Sequence, residues 1–263
     1  MTTMAEGVGM DGTTATPAVS VRGVSKSFGH VRALRGASFE AFPGQVTALV
    51  GDNGAGKSTL TKILAGVMPP DEGEIRVDGE VVHFTDPLDA KRHGIETVYQ
   101  DLALVADLDA AANVFLGREL RRLRFLHDHA EMRRRTAKAF VELGVGLVQD
   151  LRVPVGSFSG GQKQGVAIAR SAMWASRVII MDEPTAALGV IQTARVIELI
   201  QRIRDRGLAV IFIAHNLPQV LVVSDRIEVL RLGRRVARFE RGEADVDRLI
   251  AAISGAFSNE AVS

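Results

Sequence analysis

The chain has 263 residues and a mass of 28.2 kDa, with 46% hydrophobic and 24% charged residues, which is ordinary for a globular protein long enough to bury a full core. A formal net charge of +1 supplies no global attraction for nucleic acid, and no nucleic-acid partner is expected. The absence of cysteine excludes disulfides and thiolate metal sites and fits a reducing compartment.

Residues 1–17, within "MTTMAEGVGMDGTTATPA", lack both a basic start and an apolar stretch, so they read as a flexible Gly/Thr-rich tail and not as a secretory signal. Next, "VSVRGVSKSF" and "ASFEAF" alternate in strand fashion, and "EIRVDGEVVHF" reads as two short strands around Asp78-Gly79. Between them, "QVTALVG" is an almost continuous apolar strand that runs into a glycine-rich turn. In "KSTLTKILAG", Leu60, Ile63 and Leu64 take helical spacing and stop at Gly66. From about residue 87 to 176 the pattern is helical, with Arg-rich segments at 118–124 and 133–135 that suggest a solvated helical face. Buried strands return as "RVIIMD" and "LAVIFIAH", separated by the helical "TARVIELIQRIRD". Apolar strands alternating with helices predict an α/β core with a mainly parallel sheet, an antiparallel β subdomain before it and a helical subdomain inserted at about 87–176. The longest apolar runs, such as "LAVIFIA", fall far short of the roughly 20 residues of a membrane helix.

"GDNGAGKST" fits the G-x-x-x-x-G-K-[ST] phosphate loop through Gly51, Gly56, Lys57 and Ser58, and it lies between a strand and a helix as the motif requires. Its glycines let backbone N–H groups converge on phosphate oxygens at a helix N-terminus, which adds partial positive charge. Lys57 would bridge the outer phosphates, and the Ser58 hydroxyl would take a Mg²⁺ position. Asn53, Gly54, Ala55 and Thr59 belong to the same loop.

The strand "VIIMD" ends in two adjacent carboxylates, Asp182 and Glu183. Strand pleating predicts that they point in opposite directions, Asp182 towards Mg²⁺ and Glu183 towards a water that attacks the terminal phosphate. In "SFSGGQKQGVAIARSAM", Ser159 and Gln162 have the spacing of a capping box, and Gly160 and Gly161 leave the helix start bare enough to face a phosphate.

With these motifs in place, the sequence resembles the ATP-binding-cassette (ABC) ATPases, whose signature is usually LSGGQ; Phe158 stands at the leading Leu position. The resemblance spans about residues 18–240, leaving 241–263 as a C-terminal tail. It assigns Gln100 of "TVYQDLALV" to the family's Q-loop, with a place at the metal, and His215 of "IFIAHNLPQV" to its switch histidine. It also assigns Phe28 of "KSFGHVRAL" to the aromatic that stacks on adenine. Taken alone, Gln100 is a polar surface residue, His215 a turn histidine and Phe28 a core aromatic.

The resemblance implies an ATPase with ATP and Mg²⁺ that works as a head-to-tail dimer around two ATP molecules. Each terminal phosphate would meet Lys57 and Glu183 of one copy and Ser159, Gly161 and Gln162 of the other. "GIETVYQDLALV", "NVFLGRE" and "EPTAALGV" further resemble the ATPase subunits of ribose, xylose and fructose importers, in a single-cassette form. That implies a peripheral subunit on the cytoplasmic face of the inner membrane. Its partners would be a second ATPase subunit, integral membrane permease subunits and, indirectly, a periplasmic or surface substrate-binding protein. A non-transport, regulatory or assembly ABC ATPase is the alternative. Within "AALG", Gly189 stands where most family members carry an aspartate that couples the two sites.

Overall fold

The computed structural model describes residues 15–122, 126–145 and 150–256. The tail expected at residues 1–17 lies almost wholly outside the described residues.

The antiparallel layer forms where side chains alternate. β1 (Val19–Phe28) and β2 (Val31–Ala41) make a long hairpin, with Val19, Val21 and Val24 of β1 fully buried. β3 (Val46–Val50) follows with all five residues buried, as expected for a central strand covered on both faces. The phosphate loop leads into α1 (Lys57–Leu64). β4 (Glu72–Val77) and β5 (Glu80–Val82) then meet at Asp78-Gly79, where φ values of 51° and 86° give the tight hairpin that the sequence predicted.

α2 (Pro87–Arg92) starts on Asp86, whose side chain accepts from two backbone amides, and β6 (Ile95–Val98) follows. α3 (Ala110–Val114) is capped by Asp109, the short pair β7 (Arg121–Arg122) and β8 (Leu126–His127) comes next, and α4 (His129–Leu143) ends on left-handed Gly144. A short 3-10 turn precedes α5 (Gly160–Trp174). The chain closes through β9 (Val178–Asp182), α6 (Val190–Asp205), β10 (Ala209–Ile213), α7 (Leu217–Val223), β11 (Arg226–Arg231), β12 (Arg234–Glu240) and α8 (Val246–Ser254).

The main sheet has the order β12-β11-β3-β10-β9-β6, parallel from β11 to β6 with β12 antiparallel at one edge. The second sheet, β2-β1-β4-β5, is antiparallel. Pleating divides the apolar core in two. Val46, Ala48, Val50, Val210 and Phe212 face the layer of α3 to α8, whereas Leu49, Ala209, Ile211 and Ile213 face α1 and the antiparallel sheet.

Three features differ from the sequence reading. β6 lies within the stretch read as helical, yet it is a core strand beside β9. The stretch after residue 240 carries α8, which Asp245 caps and which buries Leu249 and Ala252. The Arg-rich segments are not one solvated helical face. Arg134 and Arg135 do pair with Glu131 on α4, but Arg118 binds the buried Glu96 at 2.6 Å and lies 4.8 Å over the Trp174 ring. Arg121 and Arg122 are in a strand, and Arg124 lies outside the described residues.

Candidate functional site

Ligands of open α/β sheets bind beyond the carboxyl ends of the strands. Here β3, β10 and β9 lie side by side and deliver the phosphate loop, His215 and Asp182-Glu183 to that edge. A hollow of about 330 Å³ opens there, lined by Asn53, Gly54, Ala55, Gly56, Lys57, Ser58, Thr59, Asp182, Glu183 and His215.

The loop's shape follows from its glycines. A Cβ on Gly51 (φ +154°) would overlap the Leu230 carbonyl oxygen of β11, and one on Gly56 (φ +106°) would come within 2.7 Å of the Ala33 carbonyl oxygen. Both residues are therefore glycine because backbone passes too close for a side chain. Gly56 also starts α1 with no side-chain cap and no acidic residue in its first turn, so the helix end keeps its partial positive charge.

Lys57 is buried, and its ammonium donates to the carbonyl oxygens of Gly51 at 2.7 Å and Asp52 at 2.9 Å. Burial pulls its pKa below the ordinary lysine value, partly opposed by the charges of Glu183, Asp52 and Asp182. Opposite it, burial and then the neighbouring Glu183 raise the pKa of Asp182, while Lys57 works against that rise.

Pleat alternation does not separate the two carboxylates. β9 stops at Asp182, and Glu183 adopts a left-handed conformation (φ +50°) while its amide donates to the Ile213 carbonyl oxygen at 3.0 Å. The chain turns there, and both side chains line the same hollow. Such a backbone conformation costs about 1–3 kcal/mol in a non-glycine residue and is tolerated where the surroundings hold it. The Glu183 carboxylate lies 2.8 Å from Nε2 of His215, which donates when that nitrogen carries a proton.

Other expected residues lie elsewhere. Phe28 is 47% exposed and does not line the hollow, although it pairs in register with Val31, which does. Gln100 is exposed in the loop after β6 and does not line it either. Ser159, Gly160, Gly161 and Gln162 form the start of α5, away from the phosphate loop of their own chain, and the capping box is present in both directions. Gly161 makes room for a neighbour: a Cβ there would lie 2.8 Å from Cγ of Gln192 on α6. Gly189 is the N-cap of α6 with an ordinary φ of −70°.

The structure adds Val31, Arg32 and Ala33 of β2 to the hollow, which no motif marked. A second hollow of about 260 Å³ lies between the loop after β6 and helices α3 and α5; its walls include Glu96, Tyr99, Arg118, Arg170 and Trp174.

Ser58 and Asp182 offer only oxygen donors on one hollow, a set suited to a hard divalent ion that keeps most of its ligands from phosphate and water. Among the described residues, no group of three or more His, Cys, Asp or Glu side chains could hold a metal without such help. No helix among the described residues is long and apolar enough to cross a membrane.

Comparison with known proteins agrees with this geometry. The family model described as ABC transporter matches residues 34–186. The chain is 45% identical to the fructose import ATP-binding protein of Rhizobium meliloti, over 91% of this chain and 95% of that protein. It is 43% identical to the xylose/arabinose import ATP-binding protein of Sulfolobus acidocaldarius, over 88% and 91% respectively. A nucleotide-free ATP-binding cassette from an ABC transporter superposes with a TM-score of 0.77 at 25% identity, covering 86% of this chain and 92% of that one. A dimeric cassette in a post-hydrolysis state with ADP and phosphate bound superposes with a TM-score of 0.71 at 25% identity, covering 84% and 98%. A phosphate loop held open by close backbone, two carboxylates turned towards it and relatives of nearly full length together identify this chain as a member of the ABC transporter family of ATP-binding cassettes.

Proposed function

We propose that this chain is the ATP-hydrolysing, energy-coupling subunit of an ABC importer for a sugar, working with a second copy of itself and with a separate membrane permease. The observation that carries the catalytic part is the contact of Glu183 with His215, across one hollow from Lys57 and Ser58. The import reading rests on relatives named for fructose and xylose/arabinose import.

In this reading the amides of Gly54 to Thr59 take the phosphates, and Lys57 exchanges its two carbonyl partners for phosphate oxygens. Ser58 and Asp182, with Gln100, would hold Mg²⁺, which supplies charge neutralisation on the phosphates. Glu183 orients a water and accepts its proton as the water oxygen bonds to the terminal phosphorus and the bond to the β-phosphate oxygen breaks. His215 fixes the Glu183 carboxylate. Phe28 supplies a surface for the base. Ser159, Gly160, Gly161 and Gln162 serve the nucleotide of the second copy in a head-to-tail dimer, and the hollow lined by Tyr99 and Ala103 of the Gln100 loop receives a cytoplasmic element of the permease. The subunit is then peripheral, on the cytoplasmic face of the inner membrane, and the permease in turn meets a periplasmic or surface substrate-binding protein.

The test is Glu183→Gln. It should bind ATP and dimerise like the parent while kcat falls by about a hundredfold or more, the range of a lost general base. Near-parental turnover would overturn the role of Glu183. Co-purification with a membrane-spanning subunit, and ATPase activity raised by a sugar-loaded binding protein, would be the outcome for an importer. A stable complex with water-soluble partners alone would defeat it.

A further inference from the structure

Gln100 lies in a segment with no regular structure, between the end of β6 at Val98 and the start of α3 at Ala110. The outer half of that segment is held by Asn113 of α3, which is fully buried. Its side chain accepts from the Val105 amide at 2.8 Å and donates to the carbonyl oxygens of Val105 and Leu108 at 3.0 and 3.2 Å. The inner half is held from α5. Ser171 donates to the Thr97 carbonyl oxygen at 3.3 Å, and Arg170 donates to those of Leu102 at 2.9 Å and Ala103 at 2.7 Å. Gln100 is thus bracketed by bonds from one helix. Ala103 is left-handed (φ +49°), a conformation that turns its carbonyl and that of Leu102 towards the same guanidinium.

Arginine suits this place for a geometric reason. Its planar fork presents two N–H groups at once, matched here to two consecutive carbonyls, whereas a lysine would present a single charged point. The nearby carboxylate of Glu96 is taken by Arg118, so the partners of Arg170 are backbone. Ser159, at the start of the same helix, lies eleven residues before Arg170, about 16 Å along the axis at 1.5 Å per residue.

We propose that Arg170 is a positioning residue: it latches the Gln100 segment to the signature helix α5, so that the two move as one body when a ligand enters either site. This rests on the ATPase reading for its consequence in turnover, but the latch itself is a property of the free chain.

Hydrogen exchange and steady-state kinetics test it on the full chain. Arg170→Met should speed exchange of the amides of residues 101–105 by about tenfold or more, the loss expected for a pair of charge-assisted bonds, and leave β3 and β10 amides at their parental rates. It should lower kcat about tenfold while KM for ATP stays within about twofold, because the phosphate loop is untouched. Arg170→Lys, which retains one bond, should fall between, and it decides the matter if the methionine variant does not fold. Met173→Ala trims a partly buried apolar side chain of the same helix and leaves both guanidinium–carbonyl bonds in place, so exchange at 101–105 should stay within about twofold of parental. Unchanged exchange there in the Arg170 variants, KM rising in step with the fall in kcat, or equal acceleration in Met173→Ala would each overturn the latch. If the parent chain showed no ATP turnover, the ATPase reading would fail by itself, and the exchange rates would still decide the role of Arg170.

Discussion

Replacing Gly51 by alanine puts a methyl group where β11 already runs. The new Cβ would overlap the Leu230 carbonyl oxygen and approach the Ala55 Cβ at 3.1 Å, and Leu230 belongs to a strand bonded on both sides, to β3 and β12. Gly54, three residues on, supplies the control, because its φ is also positive (+78°) but nothing lies within 4 Å of a Cβ there. Gly54→Ala should therefore cost backbone strain alone, about 1–2 kcal/mol. Gly51→Ala adds an overlap that only main-chain movement can relieve, for a total of about 2–5 kcal/mol. Urea denaturation followed by the fluorescence of the single tryptophan, Trp174 on α5, measures both. Of a total stability of about 5–15 kcal/mol, the larger loss is a substantial part, and it should appear as a lower midpoint with little change in slope. If the two variants were destabilised equally, within about 0.5 kcal/mol, close approach would not be the reason for glycine at position 51.

Two further outcomes follow from the site. Burial lowers the folded-state pKa of Lys57 below the ordinary value of 10.5, so between the two values the unfolded chain binds more protons and stability rises with pH. That contribution is present above the unfolded value and lost as pH falls through the folded one. Lys57→Met should abolish ATP binding, keep the fold at neutral pH and remove this alkaline rise; parallel stability curves for parent and variant as pH rises to 10.5 would refute it. Gly189→Asp supplies the N-cap side chain that α6 lacks, and only the flexible end of Gln192, 2.8 Å from the new Cβ, needs to shift. Stability should rise by a few tenths of a kcal/mol, and cooperativity between the two ATP sites should change more than ATP affinity. An unaltered Hill coefficient would count against a coupling role for this position.

The phosphate loop, the strand before it and the capping box of α5 were legible because their determinants are local: glycines at fixed spacing, an apolar run and Ser159 three residues before Gln162. Val31, Arg32 and Ala33 were not, because only the pairing of distant segments brings β2 over Gly56. The shared direction of Asp182 and Glu183 escaped the pleat rule since the strand ends one residue earlier and the backbone turns left-handed. For α8 a signal existed. Asp245 precedes a run with Leu249, Ile250 and Ile253 at helical spacing, and Gly255 closes it, which is the pattern of a capped amphipathic helix. β6 likewise carried the β-branched "IETV", hidden in a stretch whose flanks are helical. The bonds of Arg170 and the packing of Gln192 on Gly161 join residues distant in sequence, and no spacing rule reaches them.

The place of α8 bears on how the protein is made. Ile250, Ile253 and Ser254 share a cavity of about 310 Å³ with Gly51, Asp52 and His215, so the rear of the phosphate loop is walled by residues translated about 200 positions later. β3, which carries that loop, also waits for both of its neighbours, β10 and β11. At roughly 5–20 residues per second, a ribosome takes on the order of 10–40 s to supply them. For that interval an apolar strand and a glycine-rich loop have no sheet to join, and the nascent chain depends on the early β1–β2 hairpin and its own solubility to stay competent. The phosphate loop and His215 therefore come together only after β10 and β11 have emerged, late in translation.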